Sequence, residues 1–263
     1  MEIFGFMAII GIGLVLGSVG AGGSMLTIPV LIHLFAMDME TASAYSLFLV
    51  GVTSLTGAAL KQKEHLVSMR ATFLFGIPSV AGAFISRNWI MPCIPHIVWK
   101  SDGVMFKKDD LLLALFLLLM LMSSIAMLIR LNSHAQRLHT KKTFVLIPLG
   151  LATGLIVGLS GTGGGFLVLP ALIIFAALPL STAVGTSLLI IASNCLLGFC
   201  GDILNRTINW DFLFLVTALA MSGLLVGYWW HNQIKRFLFA QQFFAWLMLA
   251  VSLLLLTLEL VWR

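Results

Sequence analysis

Charged residues are scarce in this sequence: Asp, Glu, Lys and Arg make up only 10% of its 263 residues. A soluble domain carries about 25% charged residues, so this chain cannot cover a globular surface with polar side chains. Hydrophobic residues make up 60%, and the mean hydropathy is +1.08. The lack of charge therefore excludes a water-soluble domain and indicates a polytopic membrane protein of the all-α class.

Motifs typical of several other functions are missing as well. The chain has no GxxxxGK[ST] phosphate loop, and its three cysteines show no metal-binding or redox spacing. No acid–base or nucleophile–base pair stands out, and no carboxylate falls in the middle of an apolar stretch, where proton relays usually place one. We therefore expect no enzymatic activity, no cofactor and no metal. The net charge of +5 comes from short loops and does not indicate nucleic-acid binding.

Long uncharged stretches fill the space between these loops. A helix needs roughly 20 apolar residues to cross the hydrocarbon core of a bilayer. By this criterion the sequence predicts about eight transmembrane helices, at 4–33, 41–60, 70–88, 111–130, 143–174, 181–201, 211–231 and 242–261.

The two halves of the chain are similar to each other at a shift of 141 residues. Gly13 to Ile32 reads GLVLGSVGAGGSMLTIPVLI, and Gly154 to Ile173 reads GLIVGLSGTGGGFLVLPALI. Ten of these positions are identical, and the matches include five glycines and a proline. Apolar composition alone would not align those residues, so we predict two homologous four-helix repeats, 1–133 and 142–263. Such repeats are common in secondary transporters.

A run of glycines interrupts the first segment of each half. The runs contain Gly20, Gly22, Gly23 and Ser24 in the first half, and Gly161, Thr162, Gly163, Gly164 and Gly165 in the second. Glycine is a poor helix former, and non-helical backbone at membrane depth must be buried in protein or line a wet cavity. A half-helix that starts after each run would present unpaired N–H groups to an anion. The alternative is that the glycines only allow helices to pack closely, as we expect for Gly13, Gly17, Gly154 and Gly158.

The second helix of each half offers polar side chains that could line the same site. Ser46, Thr53 and Gly57 share one helix face, and Ser187, Asn194 and Gly198 share the corresponding face in the other half. Neutral donors suit an anion that must be bound and then released. Alternatively, the hydroxyl groups bond back to their own helix carbonyls. His33 is the one candidate for a coupling role, although a histidine at a span end is also typical of interfacial packing.

The glycine motifs give the chain a family resemblance. The pattern GxGG[GS]xxxxP, ending in Pro29 and Pro170, together with the length and the duplication, resembles the sulfite exporter TauE/SafE family of the toluene-sulfonate uptake permease superfamily. The resemblance implies a multi-pass permease of the cell inner (plasma) membrane for sulfite, sulfonates or related organosulfur anions. Its partners would be a small anionic substrate and the lipid bilayer. An anion channel and a non-transporting accessory protein are the alternatives, and the oligomeric state stays open.

Two topologies fit the basic loops equally well. The first segment of each half either crosses the membrane or folds back as a re-entrant hairpin, and both versions place loops 61–70 and 131–142 in the cytoplasm. We expect the crossing version, because the family is described as a duplicated four-helix unit. The first half also carries about ten extra residues between 88 and 110. We interpret this insertion as a solvated connection, and binding of a partner or lipid is its alternative.

Overall fold

The fold is described by a computed structural model of the chain. The structure describes residues 2–19, 26–95, 97–101, 104–107, 145–160, 165–176, 178–203 and 208–233, with shorter stretches at 111–114, 117–118, 121–122, 124–125, 128, 246, 249–254 and 256–257. Eight helices are complete enough to be bounded in this part of the chain: α1 Glu2–Val19, α2 Thr27–Phe35, α3 Met39–Lys63, α4 Met69–Cys93, α5 Leu146–Ser160, α6 Gly165–Phe175, α7 Leu180–Ile203 and α8 Trp210–Gln233.

Four of the predicted spans are confirmed as helices long and apolar enough to cross a membrane. They are α3, α4, α7 and α8. The predicted spans 111–130 and 242–261 are described only in part, and every described residue in them is helical. The number of spans in the whole chain therefore stays a prediction.

The first segment of the chain is a hairpin of two helices, which does not fit the expected crossing by a single straight helix and favours the re-entrant version. If 4–33 continued as one straight helix, Phe6 and Phe35 would lie about 43 Å apart. Their ring centroids are 5.3 Å apart, in an edge-to-face arrangement. Gly5 makes room for this contact, because a Cβ there would collide with the Phe35 ring. The end of α2 therefore returns to the beginning of α1.

Helix α4 is a single span with two π-helical turns, Thr72–Gly76 and Ser86–Ile90. A proline follows each turn closely, at Pro78 and Pro92. Proline has no N–H group and cannot donate the regular i→i−4 bond, which explains why the helix rewinds nearby. The second π turn contains Arg87, the residue on which much of the later argument depends.

A short β-hairpin lies in the 88–110 insertion, which we had interpreted as a solvated connection. Strand β1 Ile97–Ser101 pairs antiparallel with β2 Val104–Lys107, and Ser101 pairs with Val104 across the turn. The residues between the strands, Asp102 and Gly103, are a dipeptide typical of two-residue hairpin turns. The other regular elements in the described chain are helices.

Two pairs of helices approach each other closely through glycines, and the contacts in the two pairs correspond. A Cβ at Gly13 in α1 would overlap the Ala220 carbonyl oxygen in α8, and a Cβ at Gly154 in α5 would overlap the Ser79 carbonyl oxygen in α4. Each residue of the first contact differs from its counterpart in the second by 141 positions. The same offset of 141 positions relates two further contacts, Gly17 with Leu224 and Gly158 with Ala83. The packing role predicted for these four glycines is confirmed.

Helices α3 and α7 cross at the centre of the bundle. Gly57 lies beside Leu188, and Gly198 lies beside Leu47, so residue numbers rise along one helix as they fall along the other. The two helices are therefore antiparallel. The main buried cluster surrounds this crossing and includes Leu47, Val50, Leu188 and Ile191.

The close approach at Gly13 predicts a strong effect of a single methyl group. Gly13→Ala should lower the free energy of unfolding by about 1–3 kcal/mol, because the new Cβ meets backbone that cannot yield. Gly11→Ala, on an open face of the same helix, should be neutral or stabilise by up to about 1 kcal/mol. Denaturation of the detergent-solubilised variants measures both, and equal effects would contradict the packing.

Candidate functional site

The two glycine runs themselves lie outside the described residues. This applies to Gly20, Gly22, Gly23 and Ser24 in the first half, and to Gly161, Thr162, Gly163 and Gly164 in the second. Gly165 is the first residue of α6. The helices on either side of the runs are described: α1 ends at Val19 before α2 begins at Thr27, and α5 ends at Ser160 before α6 begins at Gly165.

The start of α2 presents uncapped polar groups inside the protein. Its N-cap residue, Leu26, makes no side-chain capping bond. Thr27, Ile28 and Pro29 in its first turn are buried, and the Thr27 Oγ1 atom has no hydrogen-bond partner among the described residues. A buried helix start normally finds partners for its N–H groups in side chains, water or a ligand. The first turn of α2 is therefore suited to hold a polar guest.

The predicted hydroxyl groups of the second helices differ in whether they are already bonded. Ser46 Oγ is buried and has no hydrogen-bond partner in the described chain. Thr53 Oγ1 donates to Leu49 O at 2.7 Å, and Ser187 Oγ donates to Val184 O at 2.8 Å. The alternative interpretation, bonding back to the same helix, therefore applies to Thr53 and Ser187. Ser46 keeps a free hydroxyl group.

Asn194 is bonded at one end of its amide and unpaired at the other. Its Nδ2 donates to Ser79 Oγ at 2.7 Å, while the buried Oδ1 has no partner among the described residues. The two ends of an asparagine amide are interchangeable in such a network. If they exchange, Ser79 donates to Oδ1 and the N–H groups of Asn194 become free, so the side chain can serve either a donor or an acceptor.

The remaining predicted residues take other positions. Gly57 and Gly198 pack in the α3–α7 crossing rather than beside an open site. His33 is exposed on α2, and its Nδ1 lies 3.1 Å from Pro29 O in the same helix. Within the described ranges, no group of three or more His, Cys, Asp or Glu side chains is placed to hold a metal ion.

A buried ion pair that the sequence analysis missed joins the two halves. The guanidinium group of Arg87 in α4 donates from Nε to both carboxylate oxygens of Asp202 in α7, at 3.1 and 3.0 Å. Its Nη1 donates to Ser43 Oγ at 2.8 Å and to Gly158 O at 3.2 Å. The side chains of Arg87 and Asp202 are only 3% and 10% exposed. Gly158 lies in the last turn of α5, so the pair contacts the helix that leads into the second glycine run. We call Arg87, Asp202 and Ser43 the arginine cluster.

A second polar cluster lies at the other end of α3. Lys61 Nζ is 2.8 Å from Glu64 Oε2 and 5.2 Å from the centre of the Tyr228 ring. The Tyr228 hydroxyl group donates to Glu64 Oε1. Lys61 and Glu64 are 16% and 29% exposed, so this cluster is wetter than the first. The backbone of α8 at Tyr228 also approaches Gly17 near the end of α1, the helix that leads into the first glycine run. We call Lys61, Glu64 and Tyr228 the tyrosine cluster.

The comparisons with known proteins agree with a bundle of apolar helices. The sequence model of the family described as Sulfite exporter TauE/SafE matches residues 5–255. The chain belongs to the TauE/SafE family. It is therefore a member of a family of membrane transporters, which implies a small substrate and embedding in a membrane.

Individual relatives of this TauE/SafE chain carry consistent names. A probable membrane transporter protein of Xylella fastidiosa is 29% identical over 221 residues, covering 81% of this chain and 79% of the relative. The probable membrane transporter protein YdhB of Bacillus subtilis is 27% identical, covering 82% of this chain and 84% of the relative. The YunE protein of the same organism, with the same description, is 24% identical over 245 residues, covering 84% and 87%. No solved structure matches the chain.

The burial of the Arg87–Asp202 pair predicts a large loss of stability when one partner is removed. Asp202→Ala should lower the free energy of unfolding by about 3–5 kcal/mol, because it leaves a buried guanidinium charge without compensation. Asp211→Ala removes an exposed carboxylate at the start of α8 and should have a much smaller effect. Chemical denaturation in detergent compares the two variants, and similar losses would show that the ion pair is not buried in the folded protein.

Proposed function

We propose that this TauE/SafE protein is a secondary carrier for a small anion, and that the anion binds where the broken helices meet the central α3–α7 crossing. The observation that carries the proposal is the folded-back first segment. The hairpin places the start of α2 inside the protein, where Thr27 Oγ1 has no hydrogen-bond partner among the described residues. Ser46 Oγ, in the same bundle, likewise has none among them. Amide and hydroxyl groups donate hydrogen bonds without a fixed positive charge, so they can hold an anion and still release it.

The carrier proposal rests on two inverted repeats, 1–133 and 142–263. A re-entrant hairpin followed by three crossings contains an odd number of crossings, so two such units have opposite orientations in the membrane. The matching glycine contacts of the α1–α8 and α4–α5 pairs support a two-fold relation between the units. So do two matching hydrogen bonds between the halves, from Ser68 N to Thr186 Oγ1 and from Asn209 N to Tyr45 Oη. Inverted repeats around a central site are the usual architecture of alternating access.

In this proposal the glycine runs complete the site. The amide groups of Gly20, Gly22, Gly23, Gly161, Gly163, Gly164 and Gly165 would contact the anion, and Ser24, Thr162, Ser46 and Asn194 would orient it. Thr53 and Ser187, already bonded within their helices, would line the site without donating. His33 is exposed on α2 and would serve coupling only if substrate binding moved this helix.

The family name favours sulfite, sulfonates or related organosulfur anions as the substrate, and the inner (plasma) membrane as the location. Sulfite counterflow in liposomes tests the carrier function directly. Unlabelled sulfite trapped inside should accelerate the entry of labelled sulfite, because a carrier returns faster when loaded. Flux without such acceleration would indicate a channel, and no flux with any sulfur oxyanion would reject the proposed substrate class.

The two serines at equivalent positions differ in whether their hydroxyl groups are already hydrogen-bonded. Replacing each by alanine should therefore change KM by different amounts. Ser46→Ala should raise KM for the transported anion by about 10- to 100-fold, because hydrogen bonds to charged groups contribute about 1.5–3 kcal/mol. Ser187→Ala, at the corresponding position of the other repeat, should leave KM nearly unchanged, since this hydroxyl group is bonded to Val184 O. Initial rates in liposomes measure both variants. A larger effect of Ser187→Ala would contradict the assigned site.

A further inference from the structure

The arginine cluster and the tyrosine cluster occupy equivalent positions in the two halves. Adding 141 to Arg87 gives Tyr228, and adding 141 to Lys61 gives Asp202. The buried ion pair of one cluster and the Lys61–Tyr228 contact of the other are thus counterparts in the repeated structure. Each contact joins one half of the protein to the other.

The clusters lie near opposite faces of the membrane. Ser43 is in the second turn of α3 and Lys61 is in its last turn, so the two residues are about 27 Å apart along the helix. This length is close to the thickness of the hydrocarbon core, about 30 Å. The Arg87 side chain contacts Gly158 at the end of a helix that leads into a glycine run, and the backbone of α8 at Tyr228 approaches the corresponding Gly17.

The two clusters differ in which side chains must separate before the two halves of the protein can move apart. Opening the arginine cluster pulls Arg87 away from Asp202, two opposite charges that are almost fully buried. Opening the tyrosine cluster separates the neutral Tyr228 from Lys61 and Glu64, and the latter two stay paired because both belong to the first half. Buried charges are costly to separate, whereas partly exposed ones are screened by water. The tyrosine cluster is therefore the easier one to open.

We propose that these clusters are the two closing contacts of the transport pathway, both formed in this structure, and that the pathway opens more readily at the tyrosine-cluster face than at the arginine-cluster face. The proposal rests on the carrier function proposed above, but it adds the six residues of the two clusters and a direction of opening to it. The arginine cluster holds the opposite face closed. The π turn that carries Arg87 has no counterpart in α8, which is regular around Tyr228, so the fold itself distinguishes the two faces. π-helical turns are frequent at functional sites.

Cysteine accessibility tests the proposal without any substrate. The reporter is Thr53→Cys, a buried position about 15 Å along α3 from Ser43 and about 12 Å from Lys61. The background carries Cys93→Ser and Cys200→Ser, because both of those cysteines are exposed. The same background without the reporter gives the signal of the buried Cys195. A membrane-impermeant maleimide is added to sealed vesicles of either orientation, and Gln62→Cys at the exposed end of α3 identifies the tyrosine-cluster face.

We expect the reporter to react several-fold faster from the tyrosine-cluster face than from the arginine-cluster face. Tyr228→Phe should raise the rate only at the tyrosine-cluster face. The paired change Arg87→Gln with Asp202→Asn leaves no unpaired charge and should add labelling from the arginine-cluster face. Ser43→Ala removes one Arg87 bond, keeps the ion pair and should act in the same direction more weakly, so it supplies the test if the double variant does not fold. Trp229→Phe, at an exposed position beside Tyr228, should change neither rate.

Equal labelling from both faces, the reverse preference, or no labelling in any variant would overturn the proposal. So would unchanged labelling from the arginine-cluster face in both the double variant and Ser43→Ala. Absence of sulfite counterflow would reject the proposed substrate and leave the labelling result valid. Normal sulfite counterflow together with any of these contrary labelling outcomes would reject the role of the two clusters as closing contacts. It would leave the proposed carrier function standing.

Discussion

The contact between Phe6 and Phe35 closes the first segment of the chain into a hairpin, and the rest of the structure depends on that closure. A helix that ends within a bilayer leaves backbone groups without partners, and hydrocarbon cannot supply them. The hairpin places such ends inside the protein. Its closing ring pair belongs to an aromatic group that continues through Phe212 of α8 to Tyr45 of α3, with ring centroids 5.1 and 6.0 Å apart. The second half of the chain thereby holds the hairpin of the first half in place.

Glycine has two different uses in this fold. In α1 and α5, spaced glycines remove side chains from helix faces so that α8 and α4 can approach until backbone touches backbone. Association in lipid gains little from burial of apolar surface, so close packing of this kind supplies the attraction. The contiguous glycines that follow serve a different purpose in the proposed mechanism, where they offer amide groups to the anion. The Arg87 side chain and the α8 backbone at Tyr228 contact the helix ends between these two glycine patterns, so both can couple the packing of the halves to access to the proposed site.

Much of the architecture could be predicted from the sequence, because hydropathy and glycine placement are local properties. Hydropathy predicted the spans that form α3, α4, α7 and α8. The glycine runs predicted an interruption in the first helical segment of each half. Charge counting could not decide whether the first segment crosses the membrane, since both versions distribute the basic loops equally well. The Arg87–Asp202 pair was missed because each residue lies at the end of a span, where a charge needs no explanation, and 115 positions separate them. The Asp102–Gly103 dipeptide was a local signal for the β-hairpin, but the surrounding insertion was interpreted as a loop. The bonding of Thr53 and Ser187 depends on rotamers that spacing alone does not determine.

The position of the termini relative to loop 61–70 most directly tests the folded-back first segment and the corresponding hairpin proposed for the second half. With a re-entrant hairpin in each half, both termini lie on the face opposite that loop; with crossing segments, both lie on the same face as the loop. Impermeant labelling of single cysteines placed at each terminus and at exposed Gln62, in sealed vesicles of known orientation, compares the three positions. The account predicts that both terminal cysteines react from one side and the cysteine at position 62 reacts from the other. Reaction of all three from the same side would contradict it.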